Sequence, residues 1–342
     1  MFRKSLMMNL TMTVAALVLV AVAVPAAPAA AQKFTMKIGT PTPRGNQNEW
    51  MARFKKAVDA RTGGEIAIKL YPASQLGSIP RSIEGVQLGT IEAWVGPPGF
   101  VKGVDSRYQV MDAPGLFQDM SHAQRAATHP DFRDHFLRLG ENKGIRGISI
   151  YVSSTLAVLT RGDPIRRIGD FKGLKIRVLA SEMEVEAMRT LGAAPTPIPL
   201  MEVLPALQRG AVDGVRTAVV IFVPFKYWTI SKYLTETDVA IIPVVAFVST
   251  RWFKTLPQRL RTIILEEGRK LDQPMHKYSL NERRILRNVW VKNGGELIKL
   301  PAADQKTLIA KMAKVGPAVV AKNPELKETY GKLLKAVAAT RK

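Results

Sequence analysis

The stretch Phe171-Lys-Gly-Leu-Lys-Ile-Arg177-Val178 places an arginine at the end of a short, partly apolar segment that is predicted to be a strand. In an open α/β sheet, ligands bind in the crevice beyond the carboxyl ends of the strands. The side chain of Arg177 is therefore predicted to point into such a crevice, where a guanidinium can hold a carboxylate with two parallel hydrogen bonds. The spacing alone leaves an alternative open, in which Arg177 pairs with a structural acid at the protein surface.

Strand and helix patterns alternate on both sides of this stretch. Strands are predicted at 34–39, 65–71, 91–95, 145–159 and 174–178, and helices at 46–62, 82–88, 181–191 and 201–209. Short connections between alternating elements predict βα units on a mostly parallel sheet. Because the alternation occurs in two separate parts of the chain, we expect an α/β fold with two lobes and a cleft between them.

The region after Pro257 is different, since helical periodicity dominates it as far as Asn293. This pattern contains Pro274, which is predicted to start, end or kink a helix because proline has no backbone N–H to donate. Upstream of this region, the ten-residue apolar run from Val239 to Val248 suits a buried strand.

The N-terminus has the pattern of a secretory signal peptide. Arg3 and Lys4 form a basic start, residues 6–24 are almost wholly apolar, and a run of small residues ends at Ala31. Cleavage is expected between Ala31 and Gln32. The alternative is a retained membrane anchor, since about 18 apolar residues could nearly span a bilayer. The pattern favours cleavage, which predicts a soluble, exported protein.

The composition excludes several kinds of chemistry. The 342 residues include no cysteine, which excludes disulfides, thiolate metal sites, a cysteine nucleophile and a lipoprotein anchor. Neither a Gly-x-Ser-x-Gly elbow, a His-Glu-x-x-His motif, a P-loop nor a Gly-x-Gly-x-x-Gly motif is present. His122, His129 and His135 are spaced by seven and six residues. A spacing of seven could place two of them on one helix face as a metal pair, but no further histidine or carboxylate cluster supports this, so they are predicted to be surface histidines. No catalytic residue, metal site or cofactor is therefore expected.

The charge is strongly positive, with a formal net charge of +22 that falls to +20 when Arg3 and Lys4 leave with the signal peptide. Such a charge suits nucleic acid, an anionic surface or an acidic small ligand. The basic residues are spread along the chain rather than clustered with aromatic residues, which argues against nucleic acid. A solvated basic surface is the simplest interpretation, and its field would also attract an anionic ligand.

A set of ordered motifs resembles the central signature of the TRAP transporter substrate-binding proteins of the DctP type. The signature motifs are Phe171-Lys-Gly-Leu-Lys-Ile-Arg-Val178, Leu191-Gly-Ala-Ala-Pro-Thr-Pro-Ile198 and Glu202-Val-Leu-Pro-Ala-Leu-Gln-Arg-Gly-Ala-Val-Asp-Gly214. Upstream motifs that fit the same family are Arg61-Thr-Gly-Gly64, Tyr71-Pro72, Gln75-Leu-Gly77, Gln87-Leu-Gly-Thr90 and Pro114-Gly-Leu-Phe117. The resemblance covers essentially the whole chain after the signal peptide.

The resemblance implies a periplasmic-binding-protein-like α/β fold with a long helix spanning both lobes. Lobe I is expected at 32–152, with about 240–270 returning to it. Lobe II is expected at 153–239, and about 271–342 forms the spanning helix and the C-terminal helices. The resemblance also implies a periplasmic protein that closes on an organic acid and delivers it to a membrane permease of one small and one large subunit. A sodium gradient, rather than ATP, would drive the transport.

Site residues are carried over from the family one position at a time. Arg177 matches the family's carboxylate-binding arginine. Ala157 stands where a second arginine is common, Thr217 where an asparagine touches the ligand, and Leu200 where an aromatic residue often packs on it. These three differences favour a monocarboxylate with an apolar or aromatic body over a C4-dicarboxylate or sialic acid.

Further candidate ligand contacts are Pro97 and Phe100 in the loop after the third strand, Tyr151 on a predicted hinge strand, and Phe222 and Trp228 after the Thr217 segment. Each has a structural alternative, namely a rigid turn for the loop and core packing for the large aromatic residues. The protein is expected to be a monomer that binds no nucleic acid. Two other functions remain possible: a sensor subunit that feeds a receptor, and an exported enzyme of unknown reaction.

Overall fold

The computed structural model describes residues 33–342, so the predicted signal peptide and its cleavage site after Ala31 lie outside the described residues. The strands are β1 (Phe34–Gly39), β2 (Ile66–Tyr71), β3 (Ala93–Gly96), β4 (Ile145–Thr160), β5 (Lys175–Val178), β6 (Ala194–Pro197), β7 (Gly214–Thr217), β8 (Tyr233–Ser249) and β9 (Glu296–Lys299).

The helices fall mostly between these strands and after the last of them. They are α1 (Asn46–Thr62), α2 (Ile79–Leu88), α3 (Met120–Ala127), α4 (Pro130–Arg138), α5 (Glu182–Thr190), α6 (Leu200–Gln208), α7 (Val219–Phe222), α8 (Thr250–Thr255), α9 (Gln258–Lys270), α10 (Asp272–Lys292), α11 (Ala302–Met312), α12 (Val315–Lys322) and α13 (Lys327–Thr340). Within residues 33–342, no helix combines the length and the apolar character needed to cross a bilayer.

The strands form one continuous sheet in the order β2-β1-β3-β8-β4-β7-β5-β6, with β9 added on β8. Both ends of the sheet are parallel, because β1 pairs with β2 and β3, and β5 pairs with β6 and β7, in the same direction. The centre is antiparallel, where β4 and β8 pair with each other and with β7 and β3. The predicted parallel βα units are therefore found at the two ends, whereas the pairing at the centre was not predicted.

Two long strands join the ends of the sheet. The strands β4 and β8 have 16 and 17 residues and are buried along most of their length. The apolar run from Val239 to Val248 lies inside β8, as predicted. Strands β1–β3 belong to one lobe, called here the first lobe, and β5–β7 to the other, called the second lobe. The predicted α/β fold with two lobes is confirmed.

The helical region after Pro257 is divided into α9 and α10 at Leu271. Pro274 lies in the first turn of α10. Backbone N–H groups in the first turn of a helix have no intrahelical acceptor, so the absent N–H of this proline costs no hydrogen bond. Helix α10 packs against α1 and β4 on the first lobe and against α7 and β9 on the second. It is the long helix that contacts both lobes.

The N-terminus of α10 is tied to β4 by a buried carboxylate. Asp272 accepts hydrogen bonds from the Ser149 hydroxyl at 2.8 Å, the Ile150 amide at 2.9 Å and the Arg133 guanidinium at 2.7 Å. The indole of Trp50, from α1, donates to the same Ser149 hydroxyl at 3.0 Å. This network connects α1, α4, α10 and the centre of the sheet.

Candidate functional site

A cavity lies at the seam between the two lobes, beyond the carboxyl ends of β1, β3, β5 and β7. It encloses about 530 Å³ of empty space, including its open mouth. The lining residues are Pro41, Thr42, Arg44, Gly45, Asn46, Gln47, Pro97, Phe100, Ser153, Arg177, Leu179, Leu200, Thr217, Val220, Ile221 and Ile242. Its position at the strand ends is the usual one for a ligand site in an α/β sheet.

Arg177 carries the charge inside the cavity. Its side chain is 1% exposed, and its Nε donates to the Ile198 carbonyl at 2.9 Å. Its Nη2 is buried without a hydrogen-bond partner among residues 33–342, and no carboxylate there forms an ion pair with it. The structure therefore does not support the alternative in which Arg177 pairs with a structural acid at the protein surface.

The protonation state of this guanidinium follows from its surroundings. Burial lowers the pKa of Arg177 to about 10, while the nearby Tyr227 and Glu184 act in the opposite direction. The side chain therefore stays charged at neutral pH. A buried cation with an unused donor costs free energy unless an acceptor fills the site. A ligand carboxylate meets that requirement with a charge-assisted hydrogen bond.

The rest of the lining is largely apolar. Half of the sixteen lining residues have aliphatic, proline or aromatic side chains: Pro41, Pro97, Phe100, Leu179, Leu200, Val220, Ile221 and Ile242. The hydroxyl groups of Ser153 and Thr217 make no hydrogen bond to the described residues, so each can donate to a ligand. Arg44 is exposed at the mouth, and none of the lining residues within 33–342 is acidic. The cavity is therefore electropositive with apolar walls.

Five of the nine residues predicted from sequence line this cavity. These residues are Pro97, Phe100, Arg177, Leu200 and Thr217. Pro97 and Phe100 come from the loop after β3 in the first lobe, whereas the other three belong to the second lobe. The structure thus brings the two groups together across the seam. That they contact a ligand stays a prediction.

The other four lie outside the lining. Ala157 is buried in β4, where its backbone pairs with Thr217 of β7. Tyr151 is fully buried behind the cavity wall, and its hydroxyl donates to Oδ1 of the lining residue Asn46 at 3.1 Å. Phe222 packs edge-on against Tyr227 with their rings 5.2 Å apart.

Trp228 completes this second group, since it is half-buried and packs against the hydrophobic core. Phe222 and Trp228 therefore take the core positions that were the structural alternative for large aromatic residues.

Several lining residues were not predicted. Thr42, Arg44, Asn46 and Gln47 belong to the loop after β1 or to the first turn of α1. A signal for this group existed, because a turn-rich loop at the carboxyl end of a parallel strand is a usual ligand-binding position. Ser153 had no such signal, since it is one small polar residue within a long strand.

The fold and the cavity at the seam define the class of this molecule: a two-lobed α/β protein that binds a small ligand between its lobes. The family model for bacterial extracellular solute-binding protein family 7, DctP, matches residues 40–323. The chain belongs to this family. The resemblance to substrate-binding proteins of TRAP transporters, inferred from the sequence motifs, is confirmed.

Known proteins are similar over most of the chain. An uncharacterized protein of Haemophilus influenzae is 30% identical over 287 residues, covering 83% of this chain and 86% of the relative. The C4-dicarboxylate-binding periplasmic protein DctP of Rhodobacter capsulatus is 28% identical, covering 69% and 71%. A crystal structure of a TRAP periplasmic solute-binding protein from Desulfovibrio salexigens with bound orotic acid has 25% identity and a TM-score of 0.85, covering 90% of this chain and all of the other.

Proposed function

We propose that this protein is the periplasmic solute-binding subunit of a TRAP-type transporter, which captures an organic acid by its carboxylate and delivers it to the small and large permease subunits. The observation that carries the proposal is the charged, buried Arg177, whose Nη2 has no partner among residues 33–342. Bound acid would contact both lobes, and this differential contact would stabilise the closed form.

The favoured ligand is a monocarboxylate with an apolar or aromatic body. Arg177 is the buried cation of the lining, and half of the lining side chains are apolar. Ala157 offers no second guanidinium from β4. The relative from Desulfovibrio salexigens holds orotic acid, which is a carboxylic acid on an aromatic ring. If the ligand had a second carboxylate, Arg44 at the mouth is the lining residue that could pair with it.

The finer features follow from the family and from the sequence. We propose export to the periplasm with cleavage after Ala31, a monomeric protein that binds no nucleic acid, and binding without chemical change of the ligand. The lobe boundaries are proposed to be 32–152 with 240–270, and 153–239 with 271–342. A sensor subunit that feeds a receptor would share the same site, and binding partners isolated from the membrane would distinguish it from a permease subunit.

The test is a thermal-shift screen of residues 32–342 with benzoate, phenylacetate, orotate, hexanoate, succinate and D-galacturonate. A ligand at a hundredfold excess over its Kd stabilises the folded state by about 2.7 kcal/mol. We expect the largest shift from a monocarboxylate, and no shift in Arg177→Ala, because loss of one partner of a buried charge pair costs about 2–5 kcal/mol.

Two variants serve as controls. Arg189→Ala removes an arginine of α5 that does not line the cavity, so the shift should persist. Arg44→Gln tests the mouth, and it should leave monocarboxylate binding nearly unchanged. A shift that survives in Arg177→Ala would contradict the proposed anchor. A larger shift from succinate, lost in Arg44→Gln, would contradict the monocarboxylate.

A further inference from the structure

A second cluster of charged side chains is buried where the two lobes touch, outside the cavity lining. Asp112 ends the short helical segment 106–112 that follows β3 in the first lobe. Glu184 in the first turn of α5 and Arg216 in β7 belong to the second lobe. Their exposures are 3%, 1% and 1%, respectively. Three ionisable side chains are thus removed from water at one contact between lobes.

Hydrogen bonding shows that the lobes are in direct contact here. The side-chain oxygen of Gln109, in the first-lobe segment, accepts from the Glu182 backbone amide at the start of α5 at 2.8 Å. Gly99 lies against the Asp112 carboxylate so closely that an added Cβ would be 2.1 Å from its Oδ2. The Asp112 carboxylate is therefore packed against Gly99 of its own lobe and buried beside a direct contact with the second lobe.

The charges in this cluster do not balance. Arg216 forms an ion pair with Glu184, and Oδ2 of Asp112 has no hydrogen-bond partner among residues 33–342. If both carboxyl groups were ionised, the buried trio would carry a net negative charge, which a low-dielectric environment strongly disfavours.

The other groups around Asp112 do not remove this imbalance. Burial and then the charge of Glu184 raise the pKa of Asp112 to about 8, whereas the Ser181 hydroxyl, Arg216 and Lys102 act in the opposite direction. Arg177 interacts electrostatically with Glu184 from the neighbouring cavity. Two like charges in one site commonly share a single proton.

We propose that the closed cleft holds one proton on the Asp112–Glu184 pair, so that the protein takes up a proton together with the organic acid. This inference rests on the proposed function, since it assumes that ligand binding closes the lobes. In an open cleft, water would reach Asp112 and its carboxyl would ionise at its ordinary pKa. Closing expels that water, and the proton then neutralises the excess negative charge.

The direction of the pH dependence follows from linkage. The Asp112 carboxyl has a higher pKa in the closed form than its ordinary value of 3.8. Closure therefore takes up a proton between about pH 4 and about pH 8, and acid binding weakens as pH rises through that window. If one full proton is taken up, the Kd increases about tenfold per pH unit. The cluster would thus make low pH favour capture.

Isothermal titration calorimetry with benzoate tests this directly. Titrations at about pH 7 in phosphate and in imidazole, which differ in ionisation enthalpy, give the number of protons taken up. We expect close to one proton per benzoate bound for the wild type and close to none for Asp112→Asn, which mimics the protonated carboxyl. Glu186→Gln changes a carboxyl on the same helix outside the cluster and should keep the wild-type uptake.

A second measurement judges the inference when benzoate does not bind. Denaturant unfolding of the wild type and Asp112→Asn, each saturated with whichever acid of the screen stabilises the wild type most, would be compared between about pH 5 and about pH 8, because the proton is proposed to be held in the ligand-closed form. A carboxyl group whose pKa is raised in the folded state stabilises that state less as pH rises. The denaturant concentration at the unfolding midpoint should therefore fall for the wild type, relative to Asp112→Asn, from about pH 5 to about pH 8.

The outcomes distinguish the two proposals. Benzoate binding with equal proton uptake in the wild type and Asp112→Asn would overturn the shared proton and leave the proposed function intact. A pH-independent difference between the two unfolding midpoints would overturn it as well. Absence of binding by every acid of the screen would count against the proposed function, and with it against proton uptake linked to acid binding.

Discussion

Arg177 in β5 and Arg216 in β7 lie on adjacent parallel strands, where Arg177 pairs with Val215. Both guanidinium groups are about 1% exposed, yet their partners differ. Arg216 has the Glu184 carboxylate beside it, whereas Arg177 faces the cavity without an acid. A buried cation with an internal partner serves the fold, and one without a partner is available to an anionic ligand.

The ion pair of Arg216 gives a prediction at this scale. Arg216→Met removes the arginine that forms an ion pair with the buried Glu184 carboxylate beside Asp112, which should lower the free energy of unfolding by about 3–5 kcal/mol at neutral pH. Urea unfolding measures this change. The loss should be smaller near pH 5, because protonation then relieves the unpaired charge.

The matched control is Arg259→Met, which breaks the pair between Arg259 and Glu65. Arg259 is 54% exposed in that pair, so its loss should cost less than about 1 kcal/mol. Equal destabilisation by the two substitutions would contradict the structural role assigned to Arg216.

At the scale of elements, the long helix α10 depends on its first residue. Asp272 begins the helix and binds β4 and Arg133 through three hydrogen bonds. This position is where the helix meets the centre of the sheet, and the other end of α10 packs on the second lobe through Trp290 and Phe222, whose rings are 6.3 Å apart. Helix α10 is thus fixed to the centre of the sheet at Asp272 and packs on the second lobe at its other end.

Loss of the Asp272 carboxylate should destabilise the folded protein. Asp272→Ala leaves the Arg133 guanidinium, which is 7% exposed, without its buried partner. We expect a decrease of about 3–5 kcal/mol in the free energy of unfolding, measured in urea. Asp59→Ala removes an exposed pair with Lys55 on α1 and should cost about 0.5 kcal/mol or less. A similar small effect at Asp272 would show that the anchor is dispensable.

At the scale of the whole molecule, the positive charge and the cavity act together. The chain after Ala31 carries a net charge of +20, and the described part of the cavity lining has two arginines and no acid. A field of this sign concentrates anions at the mouth and increases their association rate, and salt screens it over about 10 Å at 0.1 M.

Salt should therefore slow the capture of the acid. We expect the association rate constant of benzoate to fall several-fold between about 20 mM and about 500 mM NaCl, measured by stopped-flow tryptophan fluorescence. The dissociation rate should change less, because contacts inside the closed cavity govern it. An association rate that does not depend on salt would show that the net charge plays no part in capture.

The periodicity of the chain was enough to predict an α/β protein with two lobes, because helix and strand patterns are local. The position of Arg177 at the end of a strand was likewise a local feature, and it placed one side chain in the cavity correctly. Pro274 also marked the start of α10 correctly, because the effect of a proline on helix hydrogen bonding is confined to its own turn of the chain.

The remaining site residues depended on contacts between distant parts of the chain. Tyr151, Ser153 and Ala157 share the same alternation along β4, yet Ser153 alone of the three lines the cavity. The pairing of β4 with β8 shifts register three times, and each shift turns following side chains toward the other face. Such shifts, and the meeting of Asp112 with Glu184 across the lobes, are set by tertiary packing because the partners are far apart in sequence.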